Sequence, residues 1–242
     1  RLPNKVLINI GGKPMLWHVV KRAATAKRVN KIILAIPDNE ENNILESYAK
    51  KYKIKYYRGS EKNVLERFYK AAKKFGCENI VRLCADSPLM DPGLVDFSIQ
   101  KFFESKADYA STRLKHTFPE GLTVEVFKFS VLREAFLNAK SREQKEHVTP
   151  YIYSNPGIFR IASIENKEDL SRMRWTVDQE KDVDFMKEFF KSNCVLSLNK
   201  TADFLKNNPE IMKINSDVNQ TTVKNQKKKF FPYSFIYNYI ES

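Results

Sequence analysis

Apolar residues along most of the chain come in short blocks separated by amphipathic stretches, and the hydrophobic period changes from one block to the next. Pro14 to Ala26 has helical spacing, whereas Ile32-Ile33-Leu34-Ala35-Ile36, closed by Pro37-Asp38, is too short for a helix and suits a buried strand. A second helical stretch runs from Glu41 to Tyr52, and a short strand, Lys55 to Tyr57, ends at Gly59. Val64, Leu65, Phe68, Tyr69, Ala72 and Phe75 then form one face of an amphipathic helix, and Asn79 to Cys84 reads as another buried strand. Strands alternating with helices of this length are the mark of βαβ units, which demand parallel pairing and right-handed crossovers.

Beyond Pro92, which opens a further helix, the pattern loosens. Ala107 to Ala110 is followed by an irregular stretch holding Pro119-Glu120-Gly121 and by the alternating segment Leu122 to Phe127, where the sheet is expected to become mixed. Ser130 is placed to cap a helix through Asn138. Phe159 to Ile164 and Met173 to Val177 supply two late strands, Asp178 closes the second, and a helix follows from Lys181 to Phe190. The fold class expected is therefore α/β, three-layered, with a mostly parallel but mixed sheet. Residues 1–198 form the main domain and 199–242 a basic, aromatic extension. In that extension a polar stretch, the triplet Lys227-Lys228-Lys229 and the run Phe230 to Tyr237 describe a basic tether ending in a sticky segment. Such a segment either packs back on its own domain or meets a partner or membrane surface.

Composition narrows the class. The chain has 242 residues, a formal charge of +13, 42% hydrophobic and 12% aromatic residues, values that exclude global disorder. No apolar run reaches the roughly 18 residues of a membrane span and no signal-peptide pattern opens the chain, so a soluble, cytoplasmic protein is expected. It begins at Arg1 without a methionine and enters an apolar segment at once, as though an upstream strand preceded it. Cys77, Cys84 and Cys194 are odd in number and lack a Cys-x-x-Cys spacing, which argues for reduced thiols rather than disulfides or zinc. A lysine triplet alone gives no case for nucleic acid.

In open α/β sheets ligands bind outside the carboxyl ends of the strands. Two carboxylates fall there: Asp86 after the strand ending at Cys84, and Asp178 after the strand ending at Val177. Each either caps the helix that follows or, if the fold joins them, contributes to a hard-oxygen site of the kind that holds Mg²⁺. Gly11-Gly12-Lys13-Pro14 matches neither the P-loop nor the dinucleotide fingerprint and reads as a plain turn into a helix. His18 lies on a helical pattern and reads as structural, and His116 as a loop residue. His147, in Glu146-His-Val-Thr-Pro150, either positions a substrate or serves a local hydrogen bond. No serine or cysteine sits in a nucleophile elbow.

The ordered set Arg1-Leu-Pro-Asn-Lys5, Gly11-Gly-Lys-Pro-Met15, Arg58-Gly-Ser-Glu61 with Val64-Leu-Glu-Arg67, Arg82 with Asp86-Ser-Pro-Leu-Met-Asp-Pro92, Pro119-Glu-Gly-Leu122 with Glu125, Glu146-His-Val-Thr-Pro150 and Trp175-Thr-Val-Asp178 resembles the spore-coat-polysaccharide type of cytidylyltransferase. These enzymes are relatives of those that make CMP derivatives of acylneuraminate and 3-deoxy-manno-octulosonate. The resemblance covers about Arg1 to Phe190. It implies a glycosyltransferase-A-like nucleotide-diphospho-sugar transferase fold, Mg²⁺ as cofactor, CTP and a sugar acid as substrates, CMP-sugar and pyrophosphate as products, and a homodimer. Carried over position by position, it makes Arg1 and Lys5 the catalytic end of the phosphate loop and Asp86 and Asp178 the metal ligands. Arg58, Ser60, Arg67 and Arg82 then lie near the nucleotide, and Glu120, Glu125 and His147 near the sugar. The N-terminal strand and most of the phosphate loop of that family lie outside the sequence. Two other readings remain open at this point: a nucleotidyltransferase for a sugar or polyol phosphate, and a catalytically silent scaffold acting through the basic tail.

Overall fold

A computed structural model describes residues 5–192 and 197–218, together with the backbone of 234–238. After a 3₁₀ turn at Lys5–Leu7, strands β1 (Asn9–Ile10) and β2 (Lys13–Pro14) pair as a tight hairpin. Its two central residues, Gly11 and Gly12, have φ of +56° and +81°, the left-handed geometry of a hairpin turn that a side chain resists. The Gly-Gly-Lys-Pro motif is thus the turn its sequence suggests. Then come α1 (Met15–Ala23), β3 (Lys31–Pro37), α2 (Asn43–Lys51), β4 (Lys55–Gly59), α3 (Val64–Lys74), β5 (Asn79–Cys84) and α4 (Pro92–Glu104). The second half holds β6 (Tyr109–Ser111), β7 (Glu125–Lys128), α5 (Phe129–Asn138), α6 (Arg142–His147), α7 (Pro150–Tyr153), β8 (Ile161–Ser163), α8 (Glu180–Lys191), α9 (Leu198–Asn207), α10 (Pro209–Lys213) and β9 (Ser234–Asn238).

The main sheet has the order β4-β3-β9-β5-β7-β6-β8. β4 is parallel to β3 and β8 to β6, while β7 and β9 run antiparallel to both of their neighbours. β3, β4, β5, β6 and β8 therefore share one direction, and the sheet is mixed with a parallel majority, as expected. Strand alternation sends side chains to two separate cores. Leu34 and Ile36 of β3, Val81 and Leu83 of β5 and Val126 of β7 pack on one face with α1, α2, α4 and α8. Ile33, Ala35, Ile80 and Phe127 pack on the other with α3 and α5. The result is the three-layer α/β/α arrangement.

Two expectations change, and one of two open readings of the C-terminal segment, packing back on its own domain, is the one seen. Met173 to Val177 is an extended segment rather than a strand, joined to its surroundings by the single bridge of Arg174 with Glu120 and by Val177 N–H to Asp86 O at 2.9 Å. Residue 199 marks no structural boundary: Leu198, Ala202 and Leu205 of α9 and Ile211 of α10 belong to the main core, and Asp91, which caps α4, also accepts the backbone N–H of Leu198. The C-terminal segment enters the centre of the sheet, where β9 pairs with Ile33 and its neighbours on one side and Val81 and its neighbours on the other. Lys227 to Lys229 and Cys194 lie outside the described residues, and Cys77 and Cys84 are free thiols. Among the described residues no helix is long and apolar enough to cross a membrane.

Candidate active site

Two chain segments converge at the carboxyl end of β5. Asp86 follows that strand directly, and residues 173–178 lie beside it because their backbone is held on both sides: Trp175 N–H donates to Glu120 O at 2.7 Å and Glu120 N–H donates to Met173 O at 2.8 Å. Gly121 makes this approach possible. Its φ is +106°, and a Cβ there would stand 2.8 Å from Thr176 N and 2.9 Å from the carbonyl carbon of Trp175. The Pro119-Glu120-Gly121 motif is thus a backbone clamp that carries Asp178 to Asp86.

The two aspartates meet on Lys5. Its Nζ donates to Asp86 Oδ2 at 2.7 Å, to Asp178 Oδ1 at 2.8 Å and to Val177 O at 2.9 Å, which uses all three ammonium hydrogens. Lys5 is almost fully buried, and burial alone would lower its pKa; the charges of Asp86 and Asp178 outweigh that and hold it above its ordinary value. Behind this trio stands a second one. Arg174 donates through Nε to Asp182 Oδ1 at 2.8 Å, and through Nη2 to Asp182 Oδ2 at 2.9 Å and to Asp178 Oδ2 at 3.2 Å. The whole cluster sets three carboxylates against two cations, so it keeps residual negative charge and attracts a further cation.

Asp86 and Asp178 are hard-oxygen donors of the type Mg²⁺ takes, and here both face the Lys5 ammonium. Two carboxylates already share one cationic partner, and Mg²⁺ is ordinarily held by one or two carboxylates plus water and substrate phosphates rather than by an all-protein cage. Among the described residues no group of three or more acidic, histidine or cysteine side chains is placed to hold a metal ion by itself.

The remaining candidates are placed as follows. Arg58, on β4, is committed to Glu46 and Asn43 at 2.6 Å each and to Asn39 O at 2.7 Å, and thus braces β4 against α2. Ser60 accepts the N–H of Asn63 at 2.9 Å, and its carbonyl accepts Nη1 of the fully buried Arg67 at 2.7 Å; both organise the start of α3. Arg82 and Glu125 form a buried ion pair, with the Arg82 guanidinium 5.8 Å from the centre of the Phe68 ring. Glu125 is further bound by Tyr109 Oη at 2.7 Å and Thr149 Oγ1 at 2.6 Å. With both oxygens engaged and the side chain buried, Glu125 does not present itself to a sugar; that expectation is corrected. Glu120 stays at the rim beside Asp178's segment, paired with Arg113 at 3.1 Å and His116 at 3.5 Å. His147 ends α6 at a γ-turn: Thr149 N–H donates to His147 O at 2.9 Å across Val148, whose φ of +73° and ψ of −55° are unusual for a β-branched residue. The turn aims the Thr149 hydroxyl at Glu125. His18 is structural, donating Nε2–H to Ile10 O at 2.7 Å with its ring 4.4 Å from that of Phe190. Arg1 lies outside the described residues.

Arg174 and Asp182 were missed from sequence. A signal exists in the spacing: Arg174 is followed at intervals of four residues by the carboxylates Asp178 and Asp182. That spacing normally indicates a helix face, and here the first of the three lies in an extended segment.

The mixed α/β sheet, with a lysine-bridged carboxylate pair at a strand's carboxyl end, matches the nucleotide-diphospho-sugar transferase fold of solved cytidylyltransferases. The chain belongs to the cytidylyltransferase family, which it matches over residues 1–214. It is 37% identical over 228 residues to an uncharacterised protein of Methanocaldococcus jannaschii, covering 93% of each chain. It is 32% identical over 198 residues to the spore coat polysaccharide biosynthesis protein SpsF of Bacillus subtilis, covering 79% of this chain and 81% of that one. Among solved structures it resembles a cytidylyltransferase from Leptospira borgpetersenii with a TM-score of 0.82 at 26% identity, covering 92% and 93% of the two chains.

Proposed function

We propose that the protein transfers CMP from CTP to a hydroxyl of a sugar acid, releasing pyrophosphate and supplying a CMP-sugar for surface glycan synthesis, and that it works as a cytoplasmic homodimer. The observation that carries this reading is the convergence of Asp86 and Asp178 on one buried ammonium at the carboxyl end of β5. The SpsF likeness supports a glycan-building role, and a likeness to 3-deoxy-manno-octulosonate cytidylyltransferases, 29% identical over 107 residues to that of Geobacter sulfurreducens, supports the acceptor class.

In this reading Asp86 and Asp178 would hold Mg²⁺, which would supply charge neutralisation at the phosphates and lower the pKa of the attacking hydroxyl. Lys5 contributes a permanent positive charge next to the same carboxylates and offsets charge building on the departing pyrophosphate. Arg1, four residues upstream, adds to that role. Glu120, His116 and Arg113 form the rim on which the sugar is oriented, with His147 on the acceptor side. The Arg82–Glu125 pair fixes β5 against β7, so that Asp86 is presented in one position. Positioning and electrostatics account for the chemistry, since in-line attack on the α-phosphorus needs no protein nucleophile.

The test is calorimetric titration of CTP with Mg²⁺ into the protein, with UTP and ATP as controls, followed by a screen of sugar acids and sugar phosphates for pyrophosphate release. Selective, Mg²⁺-dependent CTP binding with turnover on a sugar acid is the expected result. Equal binding of UTP, or turnover only on a sugar phosphate, sinks the assignment.

A further inference from the structure

The cations at the carboxyl ends of the strands differ in how much of each is spent on its own fold. Lys5 uses all three ammonium hydrogens on Asp86, Asp178 and the Val177 carbonyl. Arg174 gives Nε and Nη2 to two aspartates, and Arg82 is buried in its pair with Glu125. Arg113 differs. It stands two residues beyond the end of β6 and its side chain is 49% exposed. Among the described residues its guanidinium makes one bond, from Nη1 to Glu120 Oε1 at 3.1 Å.

Its backbone is fixed, since Arg113 N–H donates to Oγ of the buried Ser111 at 3.1 Å. The register sets Ser111 opposite Glu125 and Glu125 opposite Arg82, so two residues further on Arg113 comes level with Cys84, the last residue of β5. β7 alone lies between the two strands, a separation of about 10 Å. Glu120, which holds the guanidinium, also exchanges backbone bonds with Met173 and Trp175, so Arg113 is tied to the segment that carries Asp178. Tyr153 of α7 and Glu125 lie within reach of its charge. With Nη1 on Glu120, the edge formed by Nε and Nη2 carries no bond among the described residues. That edge offers two parallel N–H groups at the spacing of a carboxylate's oxygens. Because Glu120 already offsets the charge, Arg113 draws an anion by these directed prongs more than by net field.

We infer that Arg113 receives the acid group of the sugar on its Nε and Nη2 edge, and that this contact separates acidic acceptors from neutral ones. The inference rests on the sugar-acid reading above and deepens it by naming the residue that reads the acid. Arg113 lies in none of the motifs on which the family resemblance rests.

The experiment compares pyrophosphate-release kinetics of the wild type, Arg113→Lys and Arg113→Gln. The acceptors are 3-deoxy-manno-octulosonate and an acylneuraminate, each as the free acid and as its methyl ester. Lysine keeps the charge and loses the fork, whereas glutamine loses the charge. KM for the acid is expected to rise about tenfold in Arg113→Lys and further in Arg113→Gln, the scale of one hydrogen bond to a charged group. KM for CTP stays unchanged, and KM for the ester, which offers no carboxylate, is the same in all three proteins. A KM for the acid that does not move, a rise shared equally by acid and ester, or an equal rise for CTP overturns the proposal. So does a steep drop in melting temperature in both variants, which would make Arg113 a brace for Glu120 and not a receiver. A wild type that turns over neither acid removes the sugar-acid reading and this inference with it. An acid turned over with indifference to Arg113 removes this inference alone.

Discussion

Arg82 on β5 and Glu125 on β7 stand opposite each other in the antiparallel register and pair across the strands, buried from solvent. Burial alone would raise the Glu125 carboxyl, but the Arg82 charge and the Thr149 and Tyr109 donors outweigh it and hold the group below its ordinary range. A charge buried in this manner is cheap only while its partner is present. Glu125→Ala is therefore expected to cost about 3 to 5 kcal/mol of stability, the scale for breaking one side of a buried pair. Urea unfolding measures the loss. A KM for the sugar that rises steeply with stability unchanged would show that Glu125 serves the substrate instead.

The same pair fixes a pH dependence. Because the folded pKa of Glu125 lies below its ordinary 4.5, the folded protein binds this proton less readily than the unfolded chain. Its stabilisation is then complete above pH 4.5 and disappears as pH falls through the lower folded value. Melting temperatures of wild type and Glu125→Gln should converge across that acid range. A gap that stays constant down to the acid limit contradicts the assignment.

Lys5 bonds both Asp86 and Asp178, so its loss removes a charge and leaves two carboxylates facing each other. Lys5→Met is expected to lower kcat by roughly 10² to 10³, the range for removing one preorganised donor of charge. Divalent cation should restore the fold of this variant more than that of the wild type, since a cation then replaces the missing ammonium. Thermal melts with and without Mg²⁺ read this out, and an identical Mg²⁺ response in both proteins would count against it.

Asp86→Ala and Asp178→Ala are each expected to abolish turnover. Each removal leaves the almost fully buried Lys5 ammonium with one carboxylate fewer, so a stability loss of about 1 to 3 kcal/mol is expected alongside it. Normal pyrophosphate release from either variant with a native melt would dispose of the site.

Gly121→Ala tests the clamp that brings Asp178 to Asp86. The added methyl group meets backbone atoms of Trp175 and Thr176 in a conformation that L-residues resist, so the segment must move. A loss of at least about 1 kcal/mol is expected, with a larger proportional loss of activity. Equal activity at equal stability would mean the close approach is not needed.

Much of the architecture was legible because it is written in local periodicity. Asn79 to Cys84 is apolar on both faces and flanked by helical patterns, and it forms a strand over those residues. Asp86 and Asp178 could be singled out because strand ends attract chemistry. What failed did so where tertiary contacts override local pattern. Met173 to Val177 has strand-like composition, yet its neighbours Glu120 and Asp86 belong to two different segments, so it bridges them and extends neither. The family resemblance alone assigns Glu125 to the sugar, and only the register with Arg82 shows its charge to be already matched. The place of β9 had no local signal, since pairing across so long a separation is decided by which sheet edges remain unpaired.

That central strand sets the order in which the molecule can be assembled. β5 ends at Cys84 and β9 begins at Ser234, 234−84=150 residues later, yet β9 is what joins β5 to β3. During synthesis the halves of the sheet emerge long before the piece that unites them, so β3 with β4 and β5 with β7 must wait as separate edges. Closing so distant a contact is slow, and unpaired edges invite association with other chains meanwhile. The nascent protein thus depends on a strand made long after β5 to unite the sheet, and the Asp86 end of β5 takes its final shape only once that strand is in place.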